Sequence, residues 1–322
     1  MSELTPKAAL SDQDQLLRFG LASGKVRGVA VSVDHSWQTA GLHHDYPPAV
    51  AQLLGQCVVA ALALVATLKF NGRLIMQFRG DGPVKLLVVQ ARSDLTYRVT
   101  AQWTQDLNPT DLNQTLQTLF GLTPANPGHL TLTLEPNEGT RYQSLVPIEG
   151  DSVAQALEGY FQQSEQLPTR LVLVADGGRA VGVLIQQVPG EGGTAMVRAA
   201  NAEADFDHLS IMMDTLLTSN GLVEVQATAV PVLLHRLFHQ DSLVLTQVNS
   251  VGFFCGCSRD GVGVMLKSLG RDELACALHD SEVPGYVSVR CEFCGAQYNF
   301  DAVDVEHLLQ THSFAPNEDI RH

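Results

Sequence analysis

The chain has 322 residues, 45% of them apolar and 17% charged, enough for a full hydrophobic core with a smaller accessory unit and too apolar for wholesale disorder. A formal net charge of −14, with 20 Lys and Arg that never cluster, argues against a nucleic-acid or anionic-membrane partner, either of which needs a cationic surface. The polar start "MSELTPKAALSDQDQ" lacks the basic and apolar stretches of a signal peptide. A cytoplasmic protein is expected, whose six cysteines suit metal or redox chemistry better than structural disulfides.

In chain order, "VRGVAVSVD" (26–34) alternates as a strand. The stretch 43–72 reads as a turn and then a long helix, with Pro47 and Pro48 in its first turn and Asn71-Gly72 at its end. Its run "CVVAALALVATL" (57–68) is too short to cross a bilayer and is expected as a buried core helix carrying Cys57. "RLIMQFRGDGPVKLLVVQA" reads as two strands around Gly80-Asp81-Gly82-Pro83, and "LTYRVTAQW" continues the sheet. Another hairpin turns around Pro136 to Gly139. Val153, Ala156, Leu157, Tyr160 and Phe161 then fall at helical spacing behind Asp151 as N-cap. "PTRLVLVA" and "AVGVLIQQV" are apolar strands joined by "DGGR".

Helices interspersed with hairpins make the fold class α+β. A Gly/Ala-rich break at 189–205 sets the organisation: an N-terminal sheet-and-helix core domain (1–200), a helical linker (201–250) and a small C-terminal module (251–322). The linker holds six acids against one base, Arg236, and two helices with apolar faces: Leu209, Met212, Met213, Leu216 and Leu217, then Leu233, Leu234, Leu237 and Phe238. Those faces fit either a metastable connector with exposable Met and Leu or ordinary helices packed on the core.

Four of the six cysteines form two tight pairs, Cys255-Gly-Cys257 and Cys291-Glu-Phe-Cys294-Gly295, separated by 33 residues. Zinc holds thiolates at about 2.3 Å in a tetrahedron, so neighbouring sulfurs lie roughly 3.8 Å apart, which two short-spaced pairs can satisfy. C-x2-C followed by glycine is the usual knuckle, and Gly256 gives the other pair its freedom. The predicted metal ligands are therefore Cys255, Cys257, Cys291 and Cys294, holding one Zn2+. Cys276 on a short helix ("DELACAL") reads as a spare thiol or, second to that, a further ligand, and His279, His307 and His312 as surface residues. A closed four-cysteine site is structural, so no catalytic residues are assigned. "YVSVR" and "AQYNF" around the second pair read as strands, unlike the strand-to-helix setting of a thioredoxin-type thiol. A thiol-disulfide oxidoreductase using Cys291 and Cys294, or a zinc-ribbon interaction scaffold, are the alternatives.

A module this small has too little core to fold alone, and zinc binding of about 10–16 kcal/mol supplies what is missing. Oxidation removes the thiolates that bind zinc. Disulfides within each pair would close tiny loops worth about 1.5–2 kcal/mol each, and a crosswise bridge such as Cys257–Cys291 nearer ~4 kcal/mol. The local pairing leaves the 33-residue spacer untethered and makes oxidation an order-to-disorder switch; the crosswise pairing does not.

With these cysteines, the strings "HDYP" (44–47), "ATLKFNG" (66–72), "FRGDGPVKLLVV" (78–89), "YFQQSEQLPTRL" (160–171) and "FDHL" (206–209) stand in an order that resembles the heat-shock-protein-33 family of redox-regulated holdase chaperones over nearly the whole chain. The resemblance implies a non-enzymatic, ATP-independent holdase that binds unfolded client proteins under oxidative stress. Its reduced form is inactive with zinc on Cys255, Cys257, Cys291 and Cys294. It implies that peroxide with mild heat, or hypochlorous acid, forms the redox-active disulfides Cys255–Cys257 and Cys291–Cys294, releases zinc, unfolds module and linker, and yields an active homodimer. Cys57 and Cys276 lie outside the family pattern.

Overall fold

The computed structural model describes residues 14–42, 44–104, 107, 114–188, 195–280 and 285–310, and the chain divides into two units, 1–254 and 255–322. The first begins with β1 (Gln15–Leu21), β2 (Val26–Val33), a short α1 (His35–Gly41) and the 20-residue α2 (Pro48–Thr67). β3 (Gly72–Arg79), β4 (Val84–Arg92), β5 (Thr96–Trp103), α3 (Leu116–Phe120), β6 (His129–Pro136) and β7 (Tyr142–Pro147) follow. Then come α4 (Val153–Tyr160), β8 (Thr169–Ala175), β9 (Ala180–Gln187), α5 (Ala195–Asp214), α6 (Ser219–Ala227), α7 (Val230–Leu237), β10 (Leu243–Ser250) and β11 (Gly252–Phe253).

The strands form two sheets, in the orders β10-β1-β2-β9-β8 and β11-β5-β4-β3-β6-β7. Helix α2 packs between them, touching β2, β8 and β9 of one and β3, β4 and β5 of the other. Its sequence explains that position: nearly every residue from Leu53 to Ala66 is apolar or small and buried. Gly55 permits the close approach, because a Cβ there would sit 2.8 Å from the Cβ of Ala175. The helix is longer than its 12-residue apolar run and long enough to span a bilayer, yet it is mostly buried inside the protein.

Several expected boundaries move. Helix α2 stops at Thr67, not at Asn71-Gly72, because Gly72 already pairs with Pro136 in β3. The N-cap of α4 is Ser152, not Asp151: its Oγ accepts from the Gln155 N–H at 3.2 Å, while Gln155 Oε1 accepts from the Asp151 N–H at 2.7 Å. Helix α5 starts at Ala195, inside the stretch expected as a break, and residues 189–194 lie outside the described ones. The segment 201–250 falls within the first unit and holds a further helix, α6, and a strand, β10, which pairs antiparallel with β1.

Helices α5, α6 and α7 lie on the face of the five-stranded sheet turned away from α2. Leu209, Met213, Leu216, Leu233, Leu234 and Phe238 pack there against Leu17, Phe19, Val172, Val174, Val183 and Ile185. Of the apolar positions read for this segment, Met212 is partly buried and Leu217 exposed. Polar clasps border the contact. Arg170 on β8 binds both Glu158 oxygens at 3.0 Å and, with Nε, Asp214 at 3.0 Å. Arg179 donates to the Gln226 and Thr228 carbonyls at 2.8 and 3.0 Å, and Asp205 meets Ser23 Oγ at 3.2 Å and Lys25 at 3.8 Å.

The second unit holds α8 (Arg259–Leu269), α9 (Arg271–Asp280), the hairpin β12 (Tyr286–Arg290) with β13 (Gln297–Asp301), and α10 (Ala302–Gln310). Among its described residues the buried apolar core is five side chains: Leu266, Leu274, Val287, Phe300 and Val305.

Candidate metal centre

The C-x2-C segment is the turn of the β12–β13 hairpin. Arg290 and Gln297 close the strand register, the Cys291 N–H donates to Ala296 O and the Gly295 N–H to Cys291 O, both at 2.8 Å. Gly295 takes φ of 69°, the left-handed turn that a Cβ would strain. This knuckle draws Cys291 and Cys294 onto one side. Cys255 and Cys257 arrive on a stretch without regular secondary structure that runs straight into α8, whose N-cap Ser258 accepts from the Gly261 N–H at 3.1 Å.

The four sulfurs come together within 4.8 Å of one another, the one such cluster among the described residues, and all four residues are partly buried. Cys255 and Cys291 Sγ are 3.7 Å apart, Cys257 and Cys294 Sγ 3.3 Å. These spacings approach the ~3.8 Å edge of a zinc–thiolate tetrahedron, so the donor set fits a tetrahedral, thiophilic ion. Without a cation the cluster disfavours charge: burial first, and then the neighbouring sulfurs, push the Cys294 thiol up to about 12 against one stabilising backbone N–H from Ala296. A bound metal inverts that balance and keeps the thiols deprotonated.

Three supporting side chains gave no signal in the sequence. Tyr298 O–H donates to Cys257 Sγ at 3.2 Å, and that bond, ahead of burial, raises the phenol to about 12. Arg259 reaches the Asn299 carbonyl at 2.7 Å and Asp304 Oδ2 at 2.6 Å, and lies 4.2 Å over the Phe300 ring, tying α8 to β13 and α10. Arg271 binds Glu306 at 2.7 and 3.1 Å, tying α9 to α10. Of the other cysteines, Cys57 is fully buried in α2, where desolvation raises its thiol, and Cys276 is exposed on α9. His279 and His307 are not part of the sulfur cluster, and His312 lies outside the described residues.

Comparison with known proteins converges on one family. A family profile described as "Hsp33 protein" matches residues 14–301. The 33 kDa chaperonin of Methylobacillus flagellatus is 37% identical, over 96% of this chain and 99% of its own. That of Nitrosococcus oceani is 37% identical, over 97% and 100%. That of Yersinia pestis is 38% identical, over 94% and 98%. The crystal structure of the 33 kDa chaperonin (heat shock protein 33 homolog) from Thermotoga maritima superposes with a TM-score of 0.74 at 21% identity, covering 92% of this chain and 98% of that one.

Proposed function

Because the chain belongs to the Hsp33 family of chaperones, we propose that it is an ATP-independent, redox-regulated holdase that binds unfolded proteins under oxidative stress. The observation that carries this reading is the four-sulfur cluster set in a unit whose described residues bury five apolar side chains. Cys255, Cys257, Cys291 and Cys294 would hold one Zn2+, which when bound cross-links the start of the unit to the β12–β13 turn and contributes about 10–16 kcal/mol to its folding. A core that small does not fold the unit unaided.

The chemistry on this chain's residues is thiol oxidation. Each thiolate pair gives up two electrons and gains one S–S bond, and one hydrogen peroxide per pair, taking up two protons from water, is reduced to two waters. The pairs are Cys255–Cys257 and Cys291–Cys294. Disulfide sulfurs offer no thiolate, so the ligand set is lost, and two tiny loops worth about 1.5–2 kcal/mol each do not replace the metal. The unit then unfolds.

Unfolding reaches the linker through the chain. Cys255 follows β11 by one residue, β11 pairs with β5, and β10 before it pairs with β1. Freed at that end, α5–α7 are retained by their apolar contact and by the clasps at Asp205, Arg170 and Arg179. Their release uncovers Leu17, Phe19, Val172, Val174, Val183 and Ile185, a contiguous apolar face suited to unfolded clients and to a second copy in the active homodimer. Binding of this kind needs neither turnover nor ATP, and the protein acts in the cytoplasm. The test maps disulfides and counts bound zinc across a peroxide titration: loss of one zinc with the two local disulfides supports the scheme, and a Cys257–Cys291 bridge contradicts its pairing.

A further inference from the structure

Tyr298 is placed by the hairpin. It stands on β13 opposite Val289 of β12, and strand alternation turns it to the same side as Phe300. Phe300 is buried, and the Tyr298 ring packs partly buried against the same small core. Gln297 and Asn299, on the other side of the strand, bond Ser288 Oγ at 2.8 and 2.7 Å and fix the register. With the ring held in this way, its O–H donates to Cys257 Sγ at 3.2 Å, a sulfur that comes from 41 residues earlier in the chain. The ring serves the core, whereas the hydroxyl meets a sulfur that the switch must oxidise.

That oxidation begins as a displacement. A thiolate attacking hydrogen peroxide forms an S–O bond, breaks the O–O bond and expels hydroxide, leaving a sulfenic acid. Negative charge leaves the sulfur as the new bond forms, so a hydrogen bond to sulfur is strongest before the reaction and weaker at its transition state. It lowers the starting state more and slows the attack. Hydrogen bonds around a ligating sulfur tune its electron-donating power in the same way. We propose that the Tyr298 hydroxyl is a brake on the oxidation of Cys257, acting through its bond to that sulfur and so setting how much oxidant the switch withstands. Tyr298 is a positioning residue, since it acts on the oxidant only through Cys257. The proposal deepens the redox reading and rests on it, because it takes the four cysteines to hold one zinc in the reduced chain. Cys291 serves as internal reference: its Sγ lies 3.7 Å from Cys255 Sγ, and the phenol bonds Cys257 instead.

The test uses the full-length, reduced, zinc-loaded chain as wild type and as Tyr298→Phe, which keeps the ring. Iodoacetamide is the first probe: sulfur forms an S–C bond, iodide leaves, and peptide mass spectrometry reads the initial rate at each cysteine. The rate at Cys257 is expected to rise about three- to tenfold, and that at Cys291 to stay within about twofold of wild type. The peroxide concentration that releases half the zinc is expected to fall. In the Co2+-loaded chain the sulfur-to-cobalt charge-transfer band is expected to move to longer wavelength, because the sulfur gives up its electrons more easily without the phenol. Placing 3-fluorotyrosine at position 298, a more acidic and stronger donor, is expected to slow Cys257 instead; this arm stands whether or not Tyr298→Phe keeps its metal. Rates at Cys257 that do not move relative to Cys291, or an unchanged peroxide threshold, overturn the proposal. So does an equal rise at all four cysteines, which marks a loosened unit. A wild-type chain without zinc on these cysteines removes the metal reading and this inference with it, whereas bound zinc with an unmoved Cys257 rate removes this inference alone.

Discussion

Arg179 holds the end of α6 by its guanidinium alone. The side chain donates Nη1 to Gln226 O at 2.8 Å and Nη2 to Thr228 O at 3.0 Å, with Nε 3.3 Å from Ser32 Oγ. These bonds satisfy carbonyls at the C-terminal end of α6, whose last turn supplies no basic side chain of its own. Replacing Arg179 with alanine removes the long bond to Ser32 and the two charge-assisted bonds to the linker carbonyls, the latter each worth about 1.5–3 kcal/mol before allowance for partial exposure. A total of about 2–3 kcal/mol is then expected, or a ~30–150-fold rise in local opening of α6. Amide exchange of α6 and α7 in the reduced, zinc-loaded chain reads that rise directly. Arg179→Lys, which cannot present the planar fork, should fall between wild type and alanine. An alanine variant that stays folded and exchanges at wild-type rates in α6 would refute the clasp.

Further outcomes follow from the same structure. Cys291→Ser should lose the metal and melt residues 255–310 while leaving the first unit folded, whereas Cys276→Ser, at an exposed site outside the cluster, should leave metal content unchanged; metal analysis with circular dichroism checks both. Gly55→Val should destabilise the first unit by about 1–3 kcal/mol in denaturant titration, since even a Cβ there meets Ala175 at 2.8 Å and Ala180 at 3.2 Å. Burial raises the Glu158 pKa against the lowering effects of the Leu171 N–H and Arg170, so the folded chain binds that proton more tightly than the unfolded one. Its contribution to stability therefore falls as pH rises from the ordinary carboxylate range through the raised pKa, and Glu158→Gln should remove that slope from a stability-versus-pH curve.

The elements legible in the sequence were those with an uninterrupted local pattern. The alternation in Leu74, Met76 and Phe78 and the apolar run of α2 are written in consecutive residues, and both sit where that pattern places them. Strand β10 is different: "LVLTQVNS" is a mixed, largely exposed edge strand whose identity comes from pairing with β1, over two hundred residues earlier. The end of α2 was misread because Asn71-Gly72 is a turn signal, whereas the helix stops four residues before Asn71 and Gly72 opens β3. At the candidate metal centre, the spacing of the cysteines anticipated which four sulfurs cluster, since knuckle geometry is local. Tyr298 and Arg259 were invisible, because each reaches its partners across about 40 residues of chain through the β12–β13 hairpin. The same holds for the clasps on the linker, where Arg170 and Asp214 are ordinary surface charges until folding brings them together.

The central claim is that thiol oxidation gates chaperone activity. It is tested most directly by light scattering of a thermally unfolding client, with the reduced zinc-loaded chain and with the same sample after peroxide at mild heat, both without ATP. The account predicts that only the oxidised chain keeps the client in solution. Suppression by both forms would contradict the redox gate, and suppression by neither would contradict the holdase itself.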